Sequence, residues 1–343
     1  MTMTIMTEQT APLALVLGAS GGIGSAVAAA LVKQGWRVRA MARKPRKAAR
    51  TPGLTGVDWV RGDAMRGADV MQAAEGAELI FHGVNPPGYR NWQGRVLPML
   101  ESTIAAARAH KARIVFPGTV YNYGPDAGAV VAEDAPQNPV TRKGKLRVQM
   151  ENRLHQASVE GIPVLIVRAG DFIGGTVANN WFAQGVVTPG KPLHKITYPG
   201  RPEVGHAWAY LPDLAETFVQ LIARREELPL FARFHFSGYW FENGIDLAHA
   251  TRAAAGDETL PIRRFPWWLI RALSPVVETF REMQEMRYLW QRPLRLDNAK
   301  LVAFLGEEPH TPVVTGLRQV LEELDCVPAD ETLPRAARIP AAE

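Results

Sequence analysis

Residues 13–24 read Leu-Ala-Leu-Val-Leu-Gly-Ala-Ser-Gly-Gly-Ile-Gly, and the fold follows from this stretch. Leu13–Leu17 is a short, uninterrupted apolar run, the pattern of a parallel strand buried on both faces. Glycines follow at 18, 21 and 24. Ser25–Gln34 then reads as a helix with an Ala/Val/Leu buried side, stopped by Gly35. Trp36–Ala42 is a second strand, which completes a βαβ unit. In that context Gly18 permits the tight turn, Gly21 lets the backbone approach a pyrophosphate, and Gly24 lets helix and strand pack closely. Ser20, Gly22 and Ile23 complete the loop, and the free N–H groups of the helix start favour phosphate. A dinucleotide site is expected here.

Outward from this unit the alternation continues. Val57–Val60, Glu78–Phe81, Arg113–Phe116 and Ile162–Val167 are expected strands; Gly67–Glu75, Arg90–His110 and Arg142–Glu160 are expected helices. This alternation predicts an α/β protein with a Rossmann-type, doubly wound parallel sheet. After Gly174 the pattern loosens. A strand and helix return at His206–Ala223 and a strand at Arg233–Ser237, and the rest reads as mostly helical with aromatic clusters at 265–268 and 288–290. The expected division is a dinucleotide-binding domain over 12–175 and 205–237 and a smaller, mostly helical C-terminal substrate domain over 176–204 and 238–326. Residues 1–11 and 327–343 are expected to be flexible tails.

The end of the second strand selects the cofactor. An acidic residue there would hold the ribose hydroxyl of NAD, but the chain reads Met41-Ala42-Arg43-Lys44. Arg43 and Lys44 suit the 2′-phosphate of NADP, so NADP is expected over NAD. Asp63, followed by Ala64, is placed either to meet the adenine amino group or to cap the next helix; both readings stand.

Composition bounds the alternatives. The 343 residues are 47% hydrophobic and 21% charged, with net charge +5, which excludes wholesale disorder and fibrous classes. A single cysteine, Cys326, excludes an internal disulfide and a multi-cysteine zinc site, so no metal is expected; it fits a reducing compartment, and a cytoplasmic protein is expected. No run is long and apolar enough to span a bilayer. The nearest, Phe265–Phe280, is short and interrupted by Arg271; it reads as a buried or interface helix, with membrane-surface contact as the alternative. Seven basic residues and no acid lie between Arg37 and Arg50. One bound phosphate explains them, and no basic–aromatic interleaving suggests nucleic acid.

These motifs resemble the short-chain dehydrogenase/reductase superfamily, and the Gly-x-x-Gly-x-x-Gly spacing resembles its extended, epimerase/dehydratase branch. Ile80-Phe81-His82-Gly83-Val84 resembles the fourth-strand motif, which implies Gly83 and Val84 beside the nicotinamide. Tyr123-Gly124-Pro125, the stretch from Arg168 to Gly174, His206–Asp213 and Leu305–Pro309 with Gly316-Leu317 resemble later segments. The resemblance implies a role for Arg168 at the cofactor, and a catalytic Ser/Thr, a Tyr and a Lys four residues further on. The register chosen here places Thr119 at the first, Thr141 at the Tyr position and Lys145 at the Lys position, with Glu151 following. A threonine hydroxyl is far less acidic than a phenol, so Thr141 would only orient a substrate. Tyr121 is then the candidate acid, or a residue that lines the pocket. Tyr121, Tyr123, Asn180, His206 and Trp208 are candidate substrate-facing residues, with structural packing the other reading for Tyr123 and a packed core histidine the equal alternative for His206, while Glu133, Asp134 and Lys143 read as solvated charges. The resemblance also implies pairing of helices 90–110 and 142–160 in a homodimer.

The function expected first is an NAD(P)-dependent oxidoreductase acting on a carbonyl or alcohol of a small molecule, one that is apolar or aromatic in view of the C-terminal clusters. The alternatives are a nucleotide-sugar epimerase or dehydratase holding NAD tightly, and a non-catalytic NADP-binding sensor.

Overall fold

The computed structural model describes residues 11–86, 92, 94–175 and 180–329. In chain order the first strands are β1 (Leu13–Leu17), β2 (Arg37–Ala42), β3 (Val57–Arg61), β4 (Leu79–His82) and β5 (Arg113–Thr119). A two-residue strand β6 (Val130–Val131) precedes β7 (Val164–Ala169). Then come β8 (Asp171–Ile173), β9 (Ile196–Tyr198), β10 (His206–Tyr210), β11 (Phe231–His235), β12 (Tyr239–Phe241), β13 (Ile262–Arg264) and β14 (Arg295–Leu296). The helices are α1 (Gly22–Lys33), α2 (Pro45–Ala48), α3 (Gly67–Ala73), α4 (Val96–His110), α5 (Arg142–Val159), α6 (Leu211–Ala223), α7 (Asp246–Ala255), α8 (Trp267–Leu273), α9 (Glu278–Glu285), α10 (Ala299–Leu305) and α11 (Val313–Glu323). Residues 90, 91 and 93 of the helix expected over 90–110 lie outside the described residues.

Seven parallel strands form the central sheet in the order β3-β2-β1-β4-β5-β7-β11. The alternation of side chains along β1 shows why. Ala14 and Val16 join the core under α1 and α6, with Val27, Leu31, Leu214 and Phe218. Leu13, Leu15 and Leu17 join the opposite core under α3, α4 and α5, with Val70, Leu100, Ile104 and Leu154. Strands covered by helices on both faces must be apolar throughout, as this one is. The strand order reverses between β1 and β4, which opens a crevice at their carboxyl ends.

The second lobe carries its own core, in which Phe182, Tyr239, Leu247, Leu317 and Trp290 pack around Trp208. Trp208 is fully buried, which corrects its expected place at the substrate. This lobe contains short strands where a mostly helical segment was expected, because two or three residues carry no readable period. β11 ends at His235 rather than Ser237, since the Ser237 and Gly238 N–H groups donate to Glu308 instead of a neighbouring strand.

A buried polar network pins α5 to the sheet. The Arg168 guanidinium grips Glu151 from two sides, Nε to Oε1 at 3.0 Å and Nη2 to Oε2 at 2.6 Å, and both side chains are buried. Arg168 also donates to the Tyr123 hydroxyl, which lies 2.9 Å from His235 Nε2. Two expectations are corrected here. Arg168 is spent on Glu151 and does not line the cofactor crevice, and Tyr123 is a buried member of this network rather than a substrate contact. Glu133 is also absorbed: its carboxylate accepts from the His235 N–H.

Removing Arg168 leaves the buried Glu151 carboxylate only the looser contact of Arg233, at 3.8 Å, and the Asn122 amide. Arg168→Met should therefore cost about 3–5 kcal/mol. The double variant Glu151→Leu with Arg168→Met should recover much of that loss in urea unfolding; equal stability of wild type and Arg168→Met would contradict the assignment. Burial holds His82 and His235 down to about 3, against about 6.5 when unfolded. Between those values the unfolded chain binds more protons, so stability is full above about 6.5 and is lost as pH falls towards 3. The urea midpoint should drop through that window, and less steeply in His82→Gln.

Candidate active site

The glycine loop is locked by backbone contacts. Gly18 has a positive φ of 90°, and a Cβ there would lie 2.6 Å from the Gly83 carbonyl oxygen. A Cβ on Gly24 would lie 2.1 Å from the Gly18 oxygen. Only glycine lets β1, the end of β4 and α1 approach this closely. Gly21 is different: its Cβ would touch only the Gly18 oxygen, at 3.3 Å. It faces a cleft of about 560 Å³ at the β1/β4 reversal. As the N-cap of α1, Gly21 supplies no side-chain cap, so the first-turn N–H groups are available to an anion.

Gly18, Ser20, Gly22, Ile23 and Gly24 join Gly21 on this wall. Arg43, at the end of β2, is on the wall; Lys44 is not, and is exposed before α2. Asp63 and Ala64 line the opposite side. The Asp63 carboxylate accepts from the Met65 N–H at 3.0 Å, so it braces its own turn rather than capping α3, whose N-cap is Arg66. A cradle that any Cβ at Gly18 or Gly24 would destroy, at a helix N-terminus and next to a cation, fits the pyrophosphate of a dinucleotide.

A second cleft continues from the first. The two share Ile23, Gly83 to Pro86, Phe172 and Asn180. Thr119, the last residue of β5, and Tyr121, on the turn after it, form one wall, with the Thr119 Oγ1 accepting from the Tyr121 N–H at 3.3 Å. Trp92, Trp181, Met283 and Met286 give the remainder an apolar character.

The helix wall corrects the expected register. Thr141 is the N-cap of α5; its hydroxyl accepts from the Gly144 N–H at 2.9 Å and it is not on the cleft wall. Lys145 is exposed. The residues on the wall are Lys143 and Arg147. Lys143 is 3% exposed, so the expectation of a solvated charge is overturned. Its Nζ lies 3.0 Å from Glu282 Oε2 and donates to the Glu282 carbonyl at 3.2 Å. Burial lowers its pKa, and Glu282 partly restores it. The Arg147 guanidinium lies between Trp92 and Phe116, 5.4 and 5.6 Å from the ring centres, with Nη2 3.4 Å from Asn85 Oδ1. Burial and Arg147 keep His82 neutral below it, with Nδ1 2.7 Å from Thr103 Oγ1.

The sequence carries the spacing of this face, and the pairing of Glu151 with Arg168 decides that it turns inward. Residues 143, 147 and 151 share one helix face, and Glu151 is anchored by Arg168. Counting back from Glu151 in fours gives Arg147 and Lys143. Gly144 allows the fit, since a Cβ there would lie 2.3 Å from the Tyr121 carbonyl oxygen. Glu282, on a distant segment, carried no comparable signal.

His206 is also relocated. It is buried, pairs with Asp171 at 2.9 Å and stacks on Trp290 with ring centres 4.0 Å apart. It is outside both clefts. Asp213 accepts from the N–H and hydroxyl of Thr311, both at 2.7 Å, tying α6 to the segment before α11.

Comparison with known proteins agrees with this geometry. Residues 18–172 match a protein family described as NAD(P)H-binding. Protein YeeZ of Escherichia coli strain K12 is 26% identical over 161 residues, 45% of this chain and 57% of YeeZ; the chain thus spans little more than half of that relative. Among solved structures, UDP-glucose 4-epimerase from Brucella ovis in complex with NAD superposes with a TM-score of 0.69 at 15% identity, over 90% of this chain and 97% of that one. UDP-N-acetylglucosamine 4-epimerase from Bacillus cereus gives a TM-score of 0.68 at 12% identity, over 92% and 100%. The chain thus matches an NAD(P)H-binding family over residues 18–172 and has a Rossmann-like fold that it shares with UDP-sugar 4-epimerases.

Proposed function

We propose that the protein is an NADP-dependent oxidoreductase that reduces a carbonyl, or oxidises the matching alcohol, on a small apolar or aromatic molecule. The observation that carries this reading is the continuity of the two clefts through Gly83 to Pro86. Gly18 to Gly24, Arg43, Asp63 and Val84 would hold the cofactor, with Arg147 next to its nicotinamide end. When bound, the cofactor supplies or takes a hydride at the substrate carbon. Thr119 donates a hydrogen bond to the substrate oxygen. Lys143 gives that oxygen its proton during reduction, and Glu282 holds the ammonium in place. Tyr121 orients the substrate from the facing wall. A buried ammonium whose pKa falls from the ordinary lysine value moves towards the range useful for proton transfer.

The fold shared with UDP-sugar 4-epimerases favours a second reading, in which hydride leaves and returns to a nucleotide sugar. The two separate in one assay. An oxidoreductase consumes NADPH with aromatic aldehydes; an epimerase retains its cofactor through purification, shows no net cofactor turnover and interconverts UDP-glucose and UDP-galactose. The latter result would replace the first reading.

Three outcomes follow from these roles. Arg43→Ala should weaken NADP binding by about 1.5–3 kcal/mol, the worth of a charge-assisted hydrogen bond, while leaving NAD binding unchanged; calorimetry that finds the two cofactors equal before mutation contradicts the NADP assignment. Lys143→Met should slow single-turnover NADPH oxidation by roughly 10²–10⁴-fold, and Tyr121→Phe far less; the reverse ranking would move the proton to Tyr121. Reduction needs the protonated lysine, so its rate should fall as pH rises through the Lys143 pKa. Glu282 raises that pKa, so Glu282→Gln should move the falling limb to lower pH; an unmoved limb would take Lys143 out of the proton step.

A further inference from the structure

The helix over Trp267–Leu273 has an unusual surface for a protein in water. Trp268 is 72% exposed, and Leu269, Leu273 and Val276 are exposed with it. Eleven large apolar side chains are exposed among the described residues, and four of them fall within 268–276. Scattered exposure of this kind is ordinary; a cluster marks an interaction site.

The helix is held firmly while it presents this face. Ile270 is buried beneath it. The Trp267 indole N–H donates to the Pro199 carbonyl at 2.6 Å, and the Arg287 guanidinium lies 5.2 Å from the Trp267 ring centre. The Gln284 side chain on α9 donates to the Trp267 carbonyl.

The rim of the patch is basic. Arg271, on the same helix, and Arg281 are exposed, and Arg281 donates to the Ser274 and Pro275 carbonyls at the edge of the patch. Among the described side chains of the adjoining helix, Glu282 pairs with Lys143 and Arg142, and Glu285 with Arg142. An exposed tryptophan with aliphatic neighbours and two arginines beside them matches the interface of a bilayer with anionic headgroups. No helix among the described residues is long and apolar enough to cross a membrane, so such contact is with the surface.

We infer that Trp268, Leu269, Leu273 and Val276, with Arg271 and Arg281 beside them, dock the protein on the surface of an anionic lipid bilayer. The patch lies close to the substrate cleft. Trp267 contacts Trp181 of the cleft wall, with ring centres 6.0 Å apart, and α8 packs on α9, whose Glu282 and Met283 line the cleft. Docking would therefore set the cleft beside the headgroup layer, where apolar small molecules partition.

The test is co-sedimentation of the full chain with vesicles of phosphatidylcholine, alone or in an equimolar mixture with phosphatidylglycerol. Binding is expected on the mixed vesicles, and should weaken with added salt. The double variant Trp268→Ala with Val276→Ser should lose at least about tenfold in vesicle affinity. Arg271→Glu should lose roughly fivefold or more. NADP affinity should be unchanged in all of them, which confirms that they are folded. Absence of wild-type binding to mixed vesicles overturns the inference, as does undiminished binding by the double variant. If light scattering instead shows a dimer that the double variant dissociates, with no vesicle binding, the patch belongs to a second copy of the chain and the inference is wrong.

Discussion

The grip of Arg168 on Glu151 sets the position of everything on the far wall of the cleft. Both charges are buried, and Glu151 is the counter-ion of Arg168, with Arg233 more loosely placed at 3.8 Å from the same carboxylate. A buried pair of this kind contributes little net stability compared with apolar residues, but it is costly to break, so it fixes one arrangement against others. Here it fixes the rotation of α5 against β7. With Glu151 held inward, the residues one and two turns earlier on that face, Arg147 and Lys143, must point to the cleft, and Lys145 must point to solvent. Gly144 completes the constraint by letting the first turn of α5 rest on the Tyr121 carbonyl. Position in the cleft is thus decided some distance away, by an ion pair that touches neither clefts' contents nor solvent.

The other wall depends on glycine rather than charge. Gly18, Gly24 and Gly83 meet at backbone distances that exclude any side chain, and Gly21 is left facing open space. The two constraints are independent: one shapes the phosphate cradle at β1, the other aims the polar groups at β5 and α5. Their meeting point is the shared stretch from Gly83 to Pro86. The second lobe closes the arrangement through Glu282, which reaches Lys143 from α9 and links the cleft to the exposed helix before it.

Legibility in the sequence followed the same physics. β1 and the glycine loop were readable because a strand buried on both faces must be continuously apolar, and because close backbone approach admits only glycine. The sheet and its helices followed from alternation. The register of α5 differs from the expected one because the pairing of Glu151 with Arg168, a contact between distant segments, decides which face of the helix turns inward. Arg168 is expected at the cofactor although it is buried in an ion pair, and of the two readings open for Tyr123 and His206 the packed one holds; sequence alone does not show that a charged residue has a distant partner already. Trp208 was misplaced for the equivalent apolar reason, since an aromatic side chain suits a core and a cleft equally well. Glu282 and Met283 come from a segment whose contact with the cleft is purely tertiary.

The central claim is that Lys143, and not Lys145, stands beside the nicotinamide end of the cofactor. Periodate oxidation of NADP converts its only cis-diol, on the nicotinamide ribose, into a dialdehyde that forms an imine with a neighbouring lysine, and borohydride then makes the link permanent. Peptide mapping of the labelled protein should place the adduct on Lys143, and excess NADP should prevent it. An adduct on Lys145 that NADP prevents, or no protected lysine at all, would contradict the account.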